Sequence, residues 1–487
     1  MKPGNDQLIW LLAVAFACAL LGWVTFLPMR QAFFRHDDFA WLRVAQEWEE
    51  AASLWPAITM GAGGFTLGYN VIYYMCYRAA PLDPRPHWNA LLGGHALNSA
   101  LVVFLAYALT QCLVASGAAG MTFTLLFSHH EAVGWIASGL HVFALTFMLC
   151  SFLSWRWWRR TRNLLPLCLS LLLGSAALLT KASAAPLLAL VGLWELLLAH
   201  PRRLSSVTWW SVPYAVYAAF VLAYPPKQEV ITPGPGTYHV GPHVLSNLAM
   251  CVPQMLVPDL RFSNYTAMIR SHLPQPAASA VIFSSLVLIG TLFVGSVWLL
   301  LRGDPLTRFC VGWCYIAFLP ESLFAYGYAL APRYLYIPSV GLAILVGHAL
   351  ARAAAAMARR RAAAVIAFFS FGLAAYNVPP LLIMQSHRLR DSLVRRYAIS
   401  DAVPVIRNLS PDAKVCLAGL PEPFADLATG VVVFSRRAAA IRWIAHERER
   451  GADEYALVFR PDGRLARVIR PARAGAAKGG APRESAK

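Results

Sequence analysis

The apolar residues of this chain are gathered into runs that are long enough to cross a lipid bilayer as helices, which takes about 20 residues. Inside lipid each backbone N–H and C=O must be paired within its own segment, so such runs predict helices. About eleven runs qualify, near residues 8–28, 88–111, 113–128, 134–154, 164–180, 184–199, 208–224, 278–301, 309–326, 335–356 and 362–384. The first is too long for the core of a signal peptide and lacks a small-residue cleavage site, so we expect a retained span. The expected fold class is an all-α polytopic membrane protein with about 11 transmembrane helices.

Composition supports the membrane assignment and narrows the set of partners. Hydrophobic residues make up 58% of the 487 residues and charged residues 14%, whereas soluble domains contain about 25% charged residues. The formal net charge is +18, but the arginines lie mostly between apolar runs or in the C-terminal tail, where they set topology and attract anionic headgroups. We therefore expect a membrane partner and no nucleic acid. The nine cysteines include no Cys-x-x-Cys pair, so neither a disulfide framework nor a zinc site is predicted.

Arginines between the runs predict the orientation of the chain. Those after the fourth, sixth, eighth and tenth runs fall on one side, which the positive-inside rule makes cytoplasmic. They are Arg156, Arg159, Arg160, Arg162, Arg202, Arg203, Arg302, Arg308, Arg359, Arg360 and Arg361. The N-terminus is then cytoplasmic, and an odd number of spans carries the C-terminus to the extracytoplasmic side. The Arg- and Ala-rich, Lys-poor composition is typical of a GC-rich bacterium, so we expect the inner (plasma) membrane.

Three domains are expected. Residues 1–384 form the transmembrane module, with extracytoplasmic loops near 29–87 and 225–277. Residues 385–473 form a small extracytoplasmic α/β domain, and residues 474–487 form a disordered tail. The turn Pro461-Asp462-Gly463 precedes the last of four predicted strands, which are Val415–Leu420, Val431–Phe434, Tyr455–Phe459 and Leu465–Ile469.

An acidic pair, Asp37 and Asp38, follows the first apolar run by about ten residues. Aromatic residues on both sides, among them Phe34 and Trp41, indicate an interfacial segment that holds the carboxylates near the membrane surface. A carboxylate in that place could deprotonate an acceptor hydroxyl or hold a divalent cation. The alternative is a solvated pair that caps a short helix.

Other polar residues interrupt the apolar runs at their outer ends. The triplet His129-His130-Glu131 could ligate a metal, tune a site carboxylate, or simply end a helix at the interface. Lys181 and Arg333 are cations on the outer side, where they suit a lipid phosphate or reach headgroups by snorkelling. His95 and Asn98 share one helix face and favour hydrogen bonds to a neighbouring helix.

Four local motifs resemble the GT-C superfamily of glycosyltransferases, and within it the transmembrane O-mannosyltransferase-like group and its bacterial relatives. Phe127–Ile136 resembles the group's His-x-x-His-x-Glu-Ala-Val stretch in shortened form, and Leu178–Lys181 resembles its Leu-Leu-Ser-Lys-Glu. His87–His95 resembles its His-x-x-Asn-x-x-x-His span, and Pro332–Gly341 closely matches its Arg-Tyr-Leu-Tyr-Leu-Pro-Ser motif. The resemblance covers roughly residues 1–385.

The sequence departs from the group's pattern at three places, and these differences bear on the type of acceptor more than on the fold. Thr66–Asn70 occupies the region where the group has an Arg-Pro segment, and Ala182 stands where a Glu often follows the lysine. The C-terminal region contains no TPR repeats.

The resemblance implies an inverting sugar transfer from a polyprenyl-phosphate donor to a lipid, glycan or protein acceptor at the extracytoplasmic face. It makes Asp37 or Asp38 the general base, with a slight preference for Asp37. It assigns the donor phosphate to Lys181, Arg333 and Tyr334. The same resemblance implies a set of cavity-lining side chains, namely His36, His95, His129, His130, Glu131 and Tyr336. No cofactor is expected, although a divalent cation remains possible because diphosphate donors in this superfamily often need one.

Two other functions fit a chain of this topology. A polyprenyl-linked glycan flippase or export subunit would place ionisable residues near the membrane midplane, often in inverted repeats. Here the polar motifs gather at one face, which favours catalysis at the interface. An O-antigen ligase or polymerase would concentrate function in one large outer loop rich in Arg and His, whereas the loop Pro225–Pro276 is modest and carries few arginines.

Overall fold

The computed structural model describes residues 5–51, 66–223, 237–257, 271, 273–325, 330–410, 412–420, 424, 426–436 and 440–471. These residues are mostly helical, with one small sheet near the C-terminus. The chain divides into two compact units, one of Met1–Arg30 and Glu47–Ser386 and the other of Gln31–Gln46 and His387–Lys487. Gln31–Gln46 was predicted to be part of the membrane module, whereas its contacts group it with the C-terminal residues. The predicted disordered tail, 474–487, lies outside the described residues.

A helix is found at each of the eleven apolar runs. In chain order the α-helices are α1 (Asn5–Phe26), α2 (Asp37–Ala51), α3 (Leu67–Ala79), α4 (Arg85–Thr110), α5 (Leu113–Leu125), α6 (His130–Val133), α7 (Gly139–Thr161), α8 (Leu164–Thr180), α9 (Leu187–Leu197), α10 (Ser211–Ala223), α11 (His243–Leu256), α12 (Gln275–Arg302), α13 (Pro305–Ser322), α14 (Ser339–Ala355), α15 (Arg359–Arg407) and α16 (Leu427–Ser435). The runs correspond to α1, α4, α5, α7 to α10 and α12 to α15.

Six helical stretches among the described residues are long and apolar enough to cross a membrane. Five are α1, α4, α7, α12 and α15, and the sixth is Leu204–Ala223, in which a 3₁₀ segment runs directly into α10. Four shorter apolar helices, α5, α8, α9 and α14, accompany them. Helix α12 exposes large apolar side chains such as Phe283 and Trp298, as expected of a surface that faces lipid. The helical membrane fold is thus confirmed, and the total of eleven spans stays a prediction.

Side-chain caps mark where several of these helices begin. The Asn163 side chain accepts the Leu165 N–H at 2.9 Å before α8. Asp304 accepts the N–H groups of Leu306 and Thr307, each at 3.0 Å, before α13. Such caps pair backbone donors that the first helical turn leaves unsatisfied.

Glycines let α14 approach its neighbours closely. A Cβ on Gly347 would collide with the backbone carbonyl of Ala115 in α5, and one on Gly341 would collide with that of Cys310 in α13. Membrane helices associate through small residues of this kind because lipid supplies no hydrophobic force between them. The packing fixes the N-terminal end of α14, and the motif that contains Arg333 directly precedes it.

A buried ion pair joins α7 to α9. The Glu195 carboxylate is fully buried and contacts the Arg159 Nε, and Arg159 Nη2 donates to the second carboxylate oxygen at 2.9 Å. Arg159 also donates to the Pro201 carbonyl at 2.8 Å, and the Arg203 N–H donates to Glu195 at 3.3 Å.

Replacing Glu195 with alanine should destabilise the protein by about 3–5 kcal/mol, because the Arg159 guanidinium would stay buried without its counter-charge. The measurement is the apparent Tm of purified, detergent-solubilised protein. Asp83→Ala is the matched control, since Asp83 pairs with Arg85 at an exposed position and such pairs contribute little. An apparent Tm of Glu195→Ala equal to that of the control would contradict the prediction.

The second unit contains a four-stranded sheet with the order β2-β1-β3-β4. Its strands are β1 (Lys414–Ala418), β2 (Ala440–Trp443), β3 (Tyr455–Phe459) and β4 (Leu465–Ile469). Strand β1 runs parallel to both β2 and β3, and β3 pairs with β4 in an antiparallel hairpin. Gly463 has φ 86° in the hairpin turn, a backbone conformation that favours glycine.

Three of the four predicted strands are found, and one is wrong. The predicted strand Val431–Phe434 lies inside helix α16, whose buried positions include Leu427, Val431 and Ser435 at helical spacing. A short apolar run does not distinguish a strand from a buried helix by pattern alone. The strand that occupies the sheet edge instead, β2, contains the polar Arg442 and shows little apolar alternation.

Candidate functional site

An arginine on the 3₁₀ turn Pro332–Leu335 is held by an acid from a distant part of the first unit. Arg333 Nη1 donates to Glu131 Oε1 at 2.7 Å, and the Arg333 backbone N–H donates to Oε2 at 3.2 Å. Glu131 lies on the short helix α6. The two oxygens of the Glu131 carboxylate therefore hold both the backbone and the guanidinium of Arg333. The Arg333 side chain is 26% exposed.

Aromatic rings surround the Arg333 guanidinium. Its carbon lies 4.7 Å from the centre of the Tyr334 ring and 5.4 Å from that of Trp135. Arg333 Nη2 also donates to the Tyr334 hydroxyl at 3.3 Å. Cation–π contacts and charge-assisted hydrogen bonds of this kind orient a guanidinium without removing its charge.

Lys181 supplies a second cation to the same region. It follows α8, with its backbone N–H bonded to the Ala177 carbonyl at 3.0 Å, and its side chain is partly buried. Its charge interacts with those of Arg333 and Glu321. Among the residues that the structure describes, none forms a hydrogen bond or ion pair with the Lys181 ammonium. A partly buried ammonium without such a partner favours the binding of an anion.

Glu321, at the end of α13, is a member of this group that the sequence analysis missed. It is 2% exposed and accepts hydrogen bonds from the Ser183 hydroxyl and, at 3.3 Å, from the Tyr238 hydroxyl. The residue before Tyr238 is fixed to the chain just after α13, because the Ala325 N–H donates a hydrogen bond to the Thr237 carbonyl at 2.9 Å. The available signal was an acid at the outer end of an apolar run, the same signal that singled out Glu131.

The predicted cavity-lining residues His95, His129 and Tyr336 form a buried cluster. His95 Nδ1 and the Tyr336 hydroxyl lie 2.8 Å apart, and Asn98 Nδ2 donates to that hydroxyl at 3.3 Å. His129 Nε2 lies 2.8 Å from the Ser339 Oγ. These residues are fully buried, so in this structure they join α4 to the start of α14, and a place on a cavity wall stays a prediction. Asn98 Nδ2 also donates to the Val142 carbonyl of α7 at 2.8 Å, so the expected hydrogen bond to a neighbouring helix is found for Asn98.

His130 packs beside this cluster. Its Nδ1 lies 2.9 Å from the Phe127 carbonyl oxygen, and its ring stacks on the Phe127 ring with centroids 4.6 Å apart. The ring is 2% exposed. This arrangement shapes the turn that presents Glu131 to Arg333.

The acidic pair belongs to the second unit and opens helix α2. Asp37 is exposed, whereas Asp38 is 1% exposed. The Asp38 carboxylate accepts the Arg35 N–H at 2.9 Å, and the Asp38 N–H donates to the Arg35 carbonyl at 2.9 Å. Asp38 therefore stabilises the start of the helix, as a capping residue does, while Asp37 is available to solvent and solutes.

His36, directly before the pair, has a left-handed backbone with φ 48°. Non-glycine residues rarely adopt this conformation, which persists when surrounding contacts impose it. Its Nδ1 lies 3.6 Å from Asp426 Oδ2. Burial lowers the pKa of the His36 imidazole, and Arg395 lowers it further, against the opposing effect of Asp426. The ring is therefore more often neutral near pH 7 than a free histidine.

No group of three or more His, Cys, Asp or Glu side chains with a metal-binding arrangement occurs in the described ranges. The triplet that was considered as a set of metal ligands is His129, His130 and Glu131. Each of these side chains makes one of the hydrogen-bonding contacts described above.

Solved structures with a similar fold include the apo form of ArnT from Cupriavidus metallidurans, with TM-score 0.51, 13% identity and 92% of each chain covered. The archaeal oligosaccharyltransferase AglB from Archaeoglobus fulgidus, in complex with an inhibitory peptide and a dolichol-phosphate, has TM-score 0.50 and 11% identity. That match covers 92% of this chain but 66% of AglB. ArnT bound to undecaprenyl phosphate matches with TM-score 0.46 and 15% identity over 90% of this chain and 86% of that one.

No family model and no curated protein matches the sequence. The structural likeness, at 11% to 13% identity, shows that this chain shares its fold with ArnT and AglB.

Proposed function

We propose that this chain is a membrane glycosyltransferase that transfers a sugar from a polyprenyl-phosphate donor to an acceptor at the extracytoplasmic face. The observation that carries the proposal is the pair of cations, Lys181 and Arg333, on a chain that shares its fold with ArnT and AglB. A structure of the similarly folded AglB holds a dolichol-phosphate, which is a lipid phosphate of the class proposed here.

The cation pair suits a phosphate whose charge grows during the reaction. Arg333 offers a planar fork and Lys181 a point charge, and both are well suited to phosphate oxygens. Glu131 and Glu321 offset the two cations before the donor arrives, which reduces the cost of burying charge. When the sugar leaves, the phosphate gains negative charge, and fixed cations at that place lower the barrier.

The proposed reaction is a single displacement at the anomeric carbon. The acceptor oxygen forms a bond to that carbon while the bond to the phosphate oxygen breaks, and polyprenyl phosphate leaves with the electron pair. The acceptor proton passes to Asp37, acting as general base. Attack from the face opposite the leaving group inverts the configuration of the sugar.

The proposal also specifies the membrane, the orientation of the chain, the cation requirement and the acceptor. The protein lies in a bacterial inner membrane with its N-terminus in the cytoplasm and its C-terminus on the extracytoplasmic side, as the arginine distribution favours. Transfer requires no divalent cation, since Lys181 and Arg333 supply positive charge at the phosphate. A lipid, a glycan or a protein serves as acceptor.

The test is a transfer assay with the purified full-length chain in liposomes. A panel of radiolabelled polyprenyl-phosphate sugars is offered together with extracted bacterial membranes as the acceptor source, with and without EDTA. We expect label to move from the lipid donor to an acceptor and polyprenyl phosphate to be released, in the presence of EDTA as well.

Two outcomes of this assay would overturn the proposal. Movement of intact lipid-linked sugar across the bilayer without bond cleavage would identify a flippase. Transfer from a polyprenyl-diphosphate glycan alone, included as an additional donor, would identify a ligase or polymerase.

A further inference from the structure

The acidic pair is part of the same compact unit as the C-terminal domain. Gln31–Gln46 and His387–Lys487 form that unit, although these segments are far apart in the chain. Phe33 and Ser392, which are joined by a hydrogen bond, lie 359 positions apart. The sequence motifs do not explain the role of the C-terminal domain. The contacts between this domain and the acidic segment indicate a role in holding that segment.

The central contact is a carboxylate that binds the backbone beside the acidic pair. Asp426 Oδ2 accepts the His36 N–H at 2.5 Å. The same oxygen accepts a hydrogen bond from Arg395 Nε at 3.1 Å. The Arg395 side chain is 3% exposed and that of Asp426 is 12% exposed, and the Arg395 guanidinium stacks on Phe424 at 4.6 Å. Arg395 thus holds Asp426 in a partly desolvated place where hydrogen bonds to a charged group are strong.

This contact acts on the residue that sets the direction of the acidic helix. His36 is left-handed, with φ 48°, and α2 begins at the next residue, Asp37. An unusual backbone conformation at such a point persists only when its surroundings hold it. The hydrogen bond from the His36 N–H to Asp426 is a contact of that kind, and it holds the backbone directly before Asp37.

The segment is anchored on both sides of His36. The Phe33 N–H donates to the Ser392 Oγ, and the Phe33 ring packs on Phe434 with centroids 5.4 Å apart. Further along α2, Gln46 Nε2 donates to the Val433 carbonyl at 3.1 Å. The acidic segment therefore contacts both α15 and α16, and the Asp426 contact lies between these two anchors.

We propose that the C-terminal domain is a positioning element for the acidic pair, in which Asp426, held by Arg395, fixes the His36 peptide and thereby orients Asp37. Asp426 and Arg395 are positioning residues, since they act through His36 and touch no substrate. The catalytic consequence of this arrangement rests on the proposed function, whereas the structural consequence does not.

The first experiment measures sugar transfer by Asp426→Ala in the full-length chain. Misplacing a catalytic group by about 1 Å can reduce the rate by roughly 10²-fold. We therefore expect kcat to fall by about 10- to 100-fold while the KM for the lipid donor stays nearly unchanged. Asp426→Asn, whose side-chain oxygen still accepts the His36 N–H, should retain an intermediate rate. Asp453→Ala is the matched control: Asp453 is an exposed acid of the same domain, paired with Lys414 at 2.7 Å, and its loss should leave kcat unchanged.

The second experiment needs no catalysis. Amide hydrogen exchange, followed by mass spectrometry on the full-length variants, reports how firmly residues 31–46 are held. Asp426→Ala should accelerate exchange in that segment and leave strands β3 and β4 protected, and Asp453→Ala should change neither. If wild-type protein transfers no sugar, the proposed function fails, and this arm still decides the positioning role.

Three results would overturn the positioning role. The first is wild-type kcat in Asp426→Ala, and the second is unchanged exchange in residues 31–46. The third is faster exchange throughout the C-terminal domain, which would make Asp426 a general stability residue.

Discussion

We expect the substitution of Asp37 with asparagine to lower kcat for sugar transfer by about 10²- to 10⁴-fold, because a positioned general base usually contributes that much. Asparagine keeps the size and the hydrogen-bonding shape of the side chain but cannot accept the acceptor's proton. Asp37 is exposed at the start of α2, so the substitution leaves no buried group unpaired. The measurement is steady-state transfer with varied lipid donor, and the donor KM should change little, because the base acts on the acceptor.

Asp38→Asn is the internal control for this prediction. The Asp38 side chain is buried and accepts the Arg35 N–H, a bond that an asparagine oxygen can also accept. We therefore expect a loss in kcat smaller than about 10-fold, since the segment keeps most of its geometry. The reverse order, with Asp38→Asn nearly inactive and Asp37→Asn active, would move the general base to Asp38.

The positions of the membrane helices could be predicted from sequence because each is set by a local property, the length of an apolar run. The run 164–180, for example, coincides with α8 (Leu164–Thr180). Helix α15 shows the limit of that property. Its apolar part was predicted as 362–384, but the helix continues to Arg407 through a polar segment that makes its contacts within the second unit. Hydropathy carries no signal for such an extension.

The residues of the candidate site were easier to predict from the sequence than the contacts that they make with each other. Glu131 and Arg333 were each singled out as ionisable groups at the outer ends of apolar runs, but their ion pair joins residues 202 positions apart. Such a contact depends on helix packing that no local pattern describes. Asp426 and Arg395 were missed for a related reason. They lie in a charged tail where acids and arginines are common, and only the fold brings them together with His36.

We expect the substitution of Lys181 with methionine to lower kcat by about 10²- to 10³-fold, the range seen when one group that stabilises transition-state charge is removed. Methionine has a similar length and suits the partly buried position, so the substitution removes the charge with little change in packing. The ammonium has no hydrogen bond or ion pair with the part of the chain that the structure describes, so its removal breaks no structural bond there. Glu321 would lose a nearby positive charge but keep its bonds to Ser183 and Tyr238.

Two comparisons separate a catalytic role of Lys181 from a general effect of charge. Lys181→Arg keeps the cation and should retain more activity than Lys181→Met, although a guanidinium places its charge differently from an ammonium. Arg302→Gln removes an exposed cation at the end of α12 and should leave kcat unchanged. The decisive quantity is the thermal stabilisation of each variant by polyprenyl phosphate alone, since ligand binding to the folded state raises Tm. If Lys181→Met keeps both wild-type kcat and the full Tm shift, the lysine does not contact the phosphate, and Arg333 would have to bind it without Lys181.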